Sequence, residues 1–589
     1  MSSRFKTYFP ATILFTFFLL LYVFTAAPGV YDGDSGEIAA AVNTLGLAHP
    51  TGFPLYMILG KVFTLLLPVG DIAYRLNILS ALLTAGTLVF FYFTLRNLGR
   101  SSPASLAASF VLGLGRNTIW ANSGRIGVYA LSLFFISILF FIFSKWKQKP
   151  DTRYLYMYGF LWGLSMGTHA LMIIMGIPFL FMLWQARVFL KSHIPVLIKT
   201  AIITILPGVQ YVYLVFAYRR SGIINWGDMS GLDGFFYYVT QRQYAGKFLV
   251  NNFSSFLSKA SNLLTSEFTV IFFVVAMIGF FVLYKKNHTF LNLLLLTMII
   301  NIVAMLIYGK NQDDLKILFR YLFIADFVLA IAVAYGLDRI TGWMHAVKNR
   351  KQIIAVIAII FLVVQFQYSY AHNNRRNNFL IEDTAHNILK TLEPNSLVLA
   401  LGDHVVGPLW YLQSVGERKD VAIISTALLS YDWYVNNVTK MYPDAIDQNL
   451  LVTQKGNDRI LMLIRKNYPK RPVYSVLFNS LGDNQEFDFV PQGIMFRVVP
   501  KGLSDQKKLL TDNRDIWGKY ALPNVWTDSY PDQMLNDLTV SYAFSLYVAG
   551  VEYFKNGFTD YSIDFLRKSL NVYPTTNTKE SFDFVRALR

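Results

Sequence analysis

The sequence predicts a polytopic α-helical membrane protein with a water-soluble α/β region and a helical tail at its C-terminal end. Three observations predict it. Of the 589 residues, 54% are hydrophobic and 16% aromatic, well above the share in an ordinary soluble protein. Long uncharged apolar runs recur to about residue 370 and then stop. Positive charge gathers in alternate loops between those runs. The expected division is a membrane domain over 1–370, an α/β domain over 371–530 and a helical, tetratricopeptide-like region over 531–589.

The first run starts at Pro10 and reads PATILFTFFLLLYVFTAA, without charge over about the length a bilayer requires. It is too long for a signal peptide core and shows no convincing cleavage site, so a retained anchor is expected. Ten further windows, at roughly 76–95, 102–121, 126–144, 154–168, 170–186, 194–217, 266–284, 289–308, 319–337 and 352–370, bring the expected total to about eleven spans. The pair around Thr168 is short on both sides and reads as a tight hairpin. Removing it would break the charge alternation.

Sixteen cations, among them Arg4, Lys6, Arg96, Arg100, Lys145 and Lys147, occupy one set of loops and face only Asp151 and Asp338. The opposite set holds twelve cations and nine acids. By the positive-inside rule the first set is cytoplasmic. The N-terminus is then inside and everything after about residue 371 outside, with a bacterial inner membrane as the expected location. From Ala371 onward there are twenty-four Lys plus Arg and twenty-four Asp plus Glu, so the formal charge of +17 belongs to the membrane half. That excess suits an anionic lipid surface and argues against a nucleic-acid partner. With no Cys in the chain, disulfide stapling and thiol chemistry are excluded.

In the exterior region, NSLVLALGD and KDVAIISTALL are short apolar runs bracketing GPLWYLQSVG, the pattern of strand, helix, strand with a crossover. RPVYSVLF and GIMFRVVPKG add two strands. Residues 541–574 read as two amphipathic helices joined at Asn556 and Gly557 and closed by Pro574. One such helical hairpin cannot bury its own face, so it is expected to pack on the α/β domain.

The chemistry-bearing stretch follows the first span: GVYDGDSGEIAAAVNTLGLAHPTGFPLY, with Asp32, Asp34 and Glu37 within six residues and His49 between turn signals. Helix capping accounts for part of it. Asp34 or Ser35 can cap GEIAAAVNTL, Glu37 sits where a capping box places its acid, and Gly46 can end the helix. Asp32 is left over, and for Asp34 capping and catalysis stay equally open. On the exterior face an acid here lies where a lipid-linked headgroup emerges, and it can take the proton of an attacking hydroxyl. A departing phosphate calls for cations. Arg125, Arg219, Arg220, Arg242 and Arg320 are candidates on that side, each also readable as a snorkelling residue. His49 and His169 lie on the same side, where a satisfied turn histidine is the plainer reading.

The stretch YDGDSGEIAAAVNTLGLAHPTGFPLYMILGKVF resembles the signature of a family of multi-span membrane proteins, long of unknown function, whose animal member is an endoplasmic-reticulum protein O-mannosyltransferase. Its order of Asp-Ser-Gly-Glu, Ala-His-Pro and Gly-aromatic-Pro-Leu matches over more than twenty positions. SMGTHALM, INWGDMSGLDGFFYYVTQRQY and LALGDHVVGPLWYLQSVGERKDVAIIS are similar to further family segments, so the resemblance covers most of 9–430. It implies a glycosyltransferase with the C-superfamily (GT-C) fold. It also implies a polyprenyl-phosphate sugar donor, mannose by analogy, and an extracytoplasmic protein Ser/Thr acceptor glycosylated with inversion. By the same resemblance Asp34 is the general base with Glu37 and His49 beside it. Asp32, Arg125, His169, Arg219, Trp226, Asp228, Arg242 and Arg320 are then the substrate-binding set. No resident cofactor is implied beyond the lipid-linked substrate. A divalent ion shared between carboxylates and phosphate stays open, with no diagnostic ligand spacing.

The chain departs from the family at two places: Gly127 stands where relatives carry Glu before VYAL, and Val405, Val406 and Gly407 replace a more polar stretch after Asp403, which counts against a role for Asp403. A transporter is the rival class, but only Lys199 and Asp326 are ionisable groups deep in spans, and Asp326 is expected to be a polar contact between helices. A non-catalytic envelope-assembly component is the third reading.

Overall fold

The structure is a computed structural model and describes residues 3–588 apart from 32, 221, 248–266, 309–320, 345–346, 348, 454, 477–479, 483–484, 503–505 and 523–532. The chain forms two compact units. The first comprises 1–27, 50–216 and 230–377, the second 28–49, 217–229 and 378–589. Two short segments from within the expected membrane domain, 28–49 and 217–229, thus belong to the unit that holds the C-terminal region.

The first unit is helical. Six helices among the described residues are long and apolar enough to cross a membrane: Tyr8–Thr25, Ile72–Asn97, Tyr129–Gln148, Ile194–Arg219, Val270–Met305 and Gln352–Asn373. The difference from eleven windows has local causes. Windows 266–284 and 289–308 correspond to two helices that meet at a kink at Asn287, φ −159° and ψ 73°, within Val270–Tyr308, which counts above as one. The Thr168 hairpin consists of Thr152–Ser165 and, after a 3-10 turn, Gly176–Gln185. These are 14 and 10 residues long, too short to span alone at about 1.5 Å per residue. Ser102–Gly113 is 12 residues long, with Pro103 in its first turn and Ser101 capping the Ala104 N–H.

Asp326 makes the polar contact that was expected. Its Oδ2 lies 2.5 Å from the Thr118 hydroxyl, which also reaches Glu267 Oε1 at 2.8 Å. Glu267 accepts the Asn117 N–H at 2.7 Å as well. Lys199 lies 5.0 Å from the Tyr156 ring centroid.

The second unit is built on a five-stranded sheet in the order β2-β1-β3-β5-β4. Its strands are β1 Leu397–Ala400, β2 Ala422–Ser425, β3 Val473–Val476, β4 Phe487–Gln492 and β5 Met495–Pro500. β1 lies parallel to β2 and β3, with Leu397 opposite Ala422 and Val473, while β5 is antiparallel to β3 and β4. Every residue of β1, β2 and β3 is buried, which is why their sequences are continuous apolar runs rather than alternating ones. The helix Asp403–Ser414 joins β1 to β2. Strand β4 escapes the sequence reading because Pro491 and Asp488 dilute it. Its hairpin with β5 turns at Gly493, φ 63°, a two-residue loop that needs such a residue.

The tail forms the expected pair, Gln533–Lys555 and Thr559–Val572, with Gly557 at φ 83° between them. A third helix, Thr576–Ala587, contributes Val585 to an apolar cluster with Ile563 and Leu566. The pair docks on the α/β part of its unit. Trp517 packs on Tyr542 and Phe565, and the Tyr553 hydroxyl donates to the Leu510 carbonyl.

Candidate functional site

The acidic stretch folds as the helix Gly33–Thr44. Its first turn is closed by Ser35, whose Oγ accepts the Tyr31 N–H at 3.1 Å. Ala39, Ala40 and Ala41 are fully buried, and the reason for such small residues is the neighbouring helix Asp403–Ser414. A Cβ on Gly36 would lie 2.3 Å from the Gly407 carbonyl carbon. The two helices meet backbone to backbone, so Gly407 is a packing requirement of the acidic helix, and its presence does not count against Asp403.

Glu37 does not close a capping box. Its side chain, in a residue only 7% exposed, accepts the His49 N–H at 2.6 Å and faces His49 Nδ1 at 3.1 and 3.2 Å. Gly46 ends the helix in a different way from the one expected. Leu45 takes the left-handed conformation at φ 51° and the Gly46 N–H returns to the Ala41 carbonyl, a Schellman closure. What demands glycine at 46 is space, because a Cβ there would come within 2.6 Å of the Ile224 carbonyl oxygen.

That approach places the second segment. Leu47 bridges Asn225 in parallel, the Trp226 N–H donates to the Leu47 carbonyl at 3.0 Å, and the Trp226 ring meets His49 edge to face at 6.0 Å. Trp433 lies against Trp226 at 5.5 Å, and Asn437 Nδ2 donates to the Asn225 carbonyl at 2.7 Å. Asp228 accepts from the Tyr218 hydroxyl at 3.0 Å.

The electrostatics of His49 follow from this geometry. Burial alone would push its pKa down, but the Glu37 charge and hydrogen bond, with Asp34 and Asp403 adding to them, raise it from 6.5 to about 9. At neutral pH the ring is therefore an imidazolium among three carboxylates. Asp34 shares a face with Glu37 three residues along the helix.

Of the expected residues, the structure thus brings Glu37, His49 and Trp226 into contact, with Asp34 in their field. Arg219 and Asp228 lie on the same 217–229 segment, and Arg219 is exposed. Arg125, His169 and Arg242 belong to the first unit. There Arg125 is buried and donates to Asn122 Oδ1 at 2.7 Å. His169 stacks on Phe53 at 6.3 Å beside Tyr129 and Tyr321, and its Nδ1 accepts the Leu171 N–H. Arg242 is exposed at the start of a 3-10 turn. Asp32 and Arg320 lie outside the described residues. Asp403, Trp433 and Asn437 are the participants that sequence reasoning discounted or missed. For Asp403 the signal was present, an acid at the start of a helix after a strand. For Trp433 and Asn437, aromatic and amide residues in an ordinary surface helix carry none. Among the described residues no group of three or more His, Asp or Glu side chains is arranged to hold a metal ion.

Residues 34–192 match the family described as "Protein O-mannosyl-transferase TMEM260 N-terminal domain", and residues 381–448 match "TMEM260-associated domain 2". Two regions of the chain are thus similar to TMEM260 family domains. The second match covers Asp403, Gly407, Trp433 and Asn437, so both matched regions contribute to the cluster around His49. Protein O-mannosyl-transferase TMEM260 of Mus musculus is 25% identical over 449 residues, 72% of this chain and 63% of that protein. The aligned part is thus just under two thirds of the mouse relative's length. The Dictyostelium discoideum protein O-mannosyl-transferase tmem260 is 21% identical over 594 residues, 90% of this chain and 72% of that protein. Among solved structures, ArnT from Cupriavidus metallidurans bound to undecaprenyl phosphate superposes with a TM-score of 0.55 at 12% identity, covering 84% of this chain and 98% of ArnT. The chain therefore has an ArnT-like fold with a small sheet in its C-terminal region.

Proposed function

We propose that the protein is a membrane glycosyltransferase that moves a sugar, mannose by analogy with its TMEM260 relatives, from a polyprenyl-phosphate donor to a Ser or Thr hydroxyl of an extracytoplasmic protein. The observation that carries the reading is the Glu37, His49, Trp226 arrangement with Asp34 on the same helix face. The relatives named O-mannosyl-transferase and the ArnT-like fold support the reaction class and the membrane setting.

In the proposed reaction Asp34 takes the proton of the attacking hydroxyl as its oxygen bonds to the anomeric carbon. The carbon–oxygen bond to the lipid phosphate breaks on the opposite side, inverting the centre. Glu37 fixes the His49 ring and keeps it protonated, and the imidazolium offsets charge on the departing phosphate. Trp226, Asp228 and Arg219 are proposed to shape the substrate side of this cluster. Arg125, His169 and Arg242 are the first unit's candidates for substrate contacts, and Asp32 and Arg320 complete the set. The loop charges support an extracytoplasmic position for the cluster. A bacterial inner membrane remains the proposed location, although both named relatives are eukaryotic.

The test is transfer by the purified protein from polyprenyl-phosphate mannose to a panel of Ser/Thr-containing acceptors, read by intact-glycopeptide mass spectrometry. Hexose on acceptor hydroxyls supports the reading. Flux of a labelled solute into proteoliposomes without any transfer would instead favour a transporter.

A further inference from the structure

Beside the Trp226 segment the second unit holds a cavity of about 310 Å³ lined by Tyr218, Arg219, Asn225, Asn437, Lys440 and Met441, with Gly222 at its margin. Its chemistry is specific. Arg219 and Lys440 are exposed and neither has a carboxylate partner among the described residues. A neighbouring crevice is shared by Asn225 and Asn437 with Trp226, Trp410 and Trp433. Two buried polar atoms at this junction have no hydrogen-bond partner among the described residues: Asn225 Oδ1, an acceptor, and Trp226 Nε1, a donor.

Leaving both unmet is costly, and the pair is complementary to one chemical group. A peptide unit offers one N–H and one C=O, the donor that Asn225 lacks and the acceptor that Trp226 lacks. A bare anion would satisfy only the indole. The volume agrees, since a water occupies about 30 Å³ of liquid and this cavity has room for side chains rather than one ion. The two cations then select what flanks the bound backbone.

We propose that this cavity, together with the adjoining crevice that Trp226 lines, binds an acidic, extended segment of the acceptor protein, with its backbone on Asn225 and Trp226 and its carboxylates on Arg219 and Lys440. The proposal deepens the reading above and rests on its claim that the acceptor is a polypeptide. It adds Asn225, Asn437 and Lys440 as specificity-determining positions and predicts acceptor sites in Glu/Asp-rich surroundings.

The test measures binding without any sugar donor. Labelled Ser/Thr peptides flanked by Glu or by Lys are titrated against the full chain in nanodiscs of zwitterionic lipid, with fluorescence anisotropy as readout. Glu-flanked peptides are expected to bind about tenfold more tightly, the combined effect of two exposed charge pairs. The double variant Arg219→Glu, Lys440→Glu, both at exposed positions that leave the core untouched, is expected to reverse the preference. Equal binding of the two peptides, a preference that survives charge reversal, or displacement by inorganic phosphate as effective as by the Glu peptide would overturn the proposal. Because no transfer is involved, a reversal seen in a protein that glycosylates nothing would sink the enzymatic reading alone. Transfer without a reversal would sink this one.

Discussion

Replacing Glu37 by Gln is the most informative perturbation of the His49 cluster. The amide keeps the shape and can still accept the His49 backbone N–H, but it removes the charge that holds the imidazolium. In the folded protein the His49 pKa rises from 6.5 to about 9, and at 1.36 kcal/mol per tenfold this corresponds to roughly 3 kcal/mol, an upper bound for a ring that is not fully enclosed. The sign is fixed by the direction: a folded pKa above the unfolded one stabilises most below pH 6.5, and the stabilisation fades as pH rises through about 9. In Glu37→Gln, burial opposes the charge with only Asp34 and Asp403 left to favour it. The variant is expected to lose about 2 kcal/mol at pH 6–7, a fall of about 4–8 °C in the transition of a unit this size, and to converge with the wild type above pH 9. Differential scanning fluorimetry from pH 6 to 10 reads both curves. A constant offset at every pH would refute the electrostatic reasoning and leave only packing.

Three further outcomes follow. Gly36→Val or Gly407→Val places a side chain where the two helix backbones meet. Each should cost at least about 3 kcal/mol, visible as loss of folded protein in detergent, whereas Gly416→Ala, at a glycine with open space around it but a positive φ, should cost only about 1 kcal/mol. Arg459, buried at 1% exposure, donates to the Leu429 carbonyl and to Asp432. Arg459→Leu leaves the Leu429 carbonyl without this donor and is therefore expected to destabilise by about 1–3 kcal/mol, measured by denaturant unfolding. Because the chain has no Cys, one introduced at the exposed position 228 and another at Lys147 can be labelled with an impermeant maleimide. Labelling of 228 from outside and of 147 only after permeabilisation is expected from the loop charges.

The membrane half was legible because spans are written in composition: a bilayer tolerates few charges, so run length and loop charge alone mark them. The break at Asn287 was marked too, because Lys285, Lys286, Asn287 and His288 interrupt the apolar pattern between windows 266–284 and 289–308. What composition does not mark is helix length, since the windows around Thr168 fold as helices of only 14 and 10 residues. In the C-terminal part β1, β2 and the helix between them were readable because a strand buried on both faces is continuously apolar. Strand β4, diluted by Pro491, was not. In the site, Asp34, Glu37 and His49 stood out by their density of charge, but the partner each would take did not. Glu37 looked like a cap, and only the fold shows it reaching twelve residues forward to His49. Gly407 looked like the loss of a polar group, and its meaning depends on a contact 371 positions away in sequence, with Gly36.

The central claim is that Asp34 removes the proton from the acceptor hydroxyl. It is tested most directly by the single-turnover transfer rate of the purified protein and of Asp34→Asn and Asp34→Glu, at saturating donor and acceptor. The account predicts a fall of about a hundredfold or more for Asp34→Asn, partial recovery with Glu, and unchanged donor binding. A rate for Asp34→Asn within a few-fold of the wild type would contradict it.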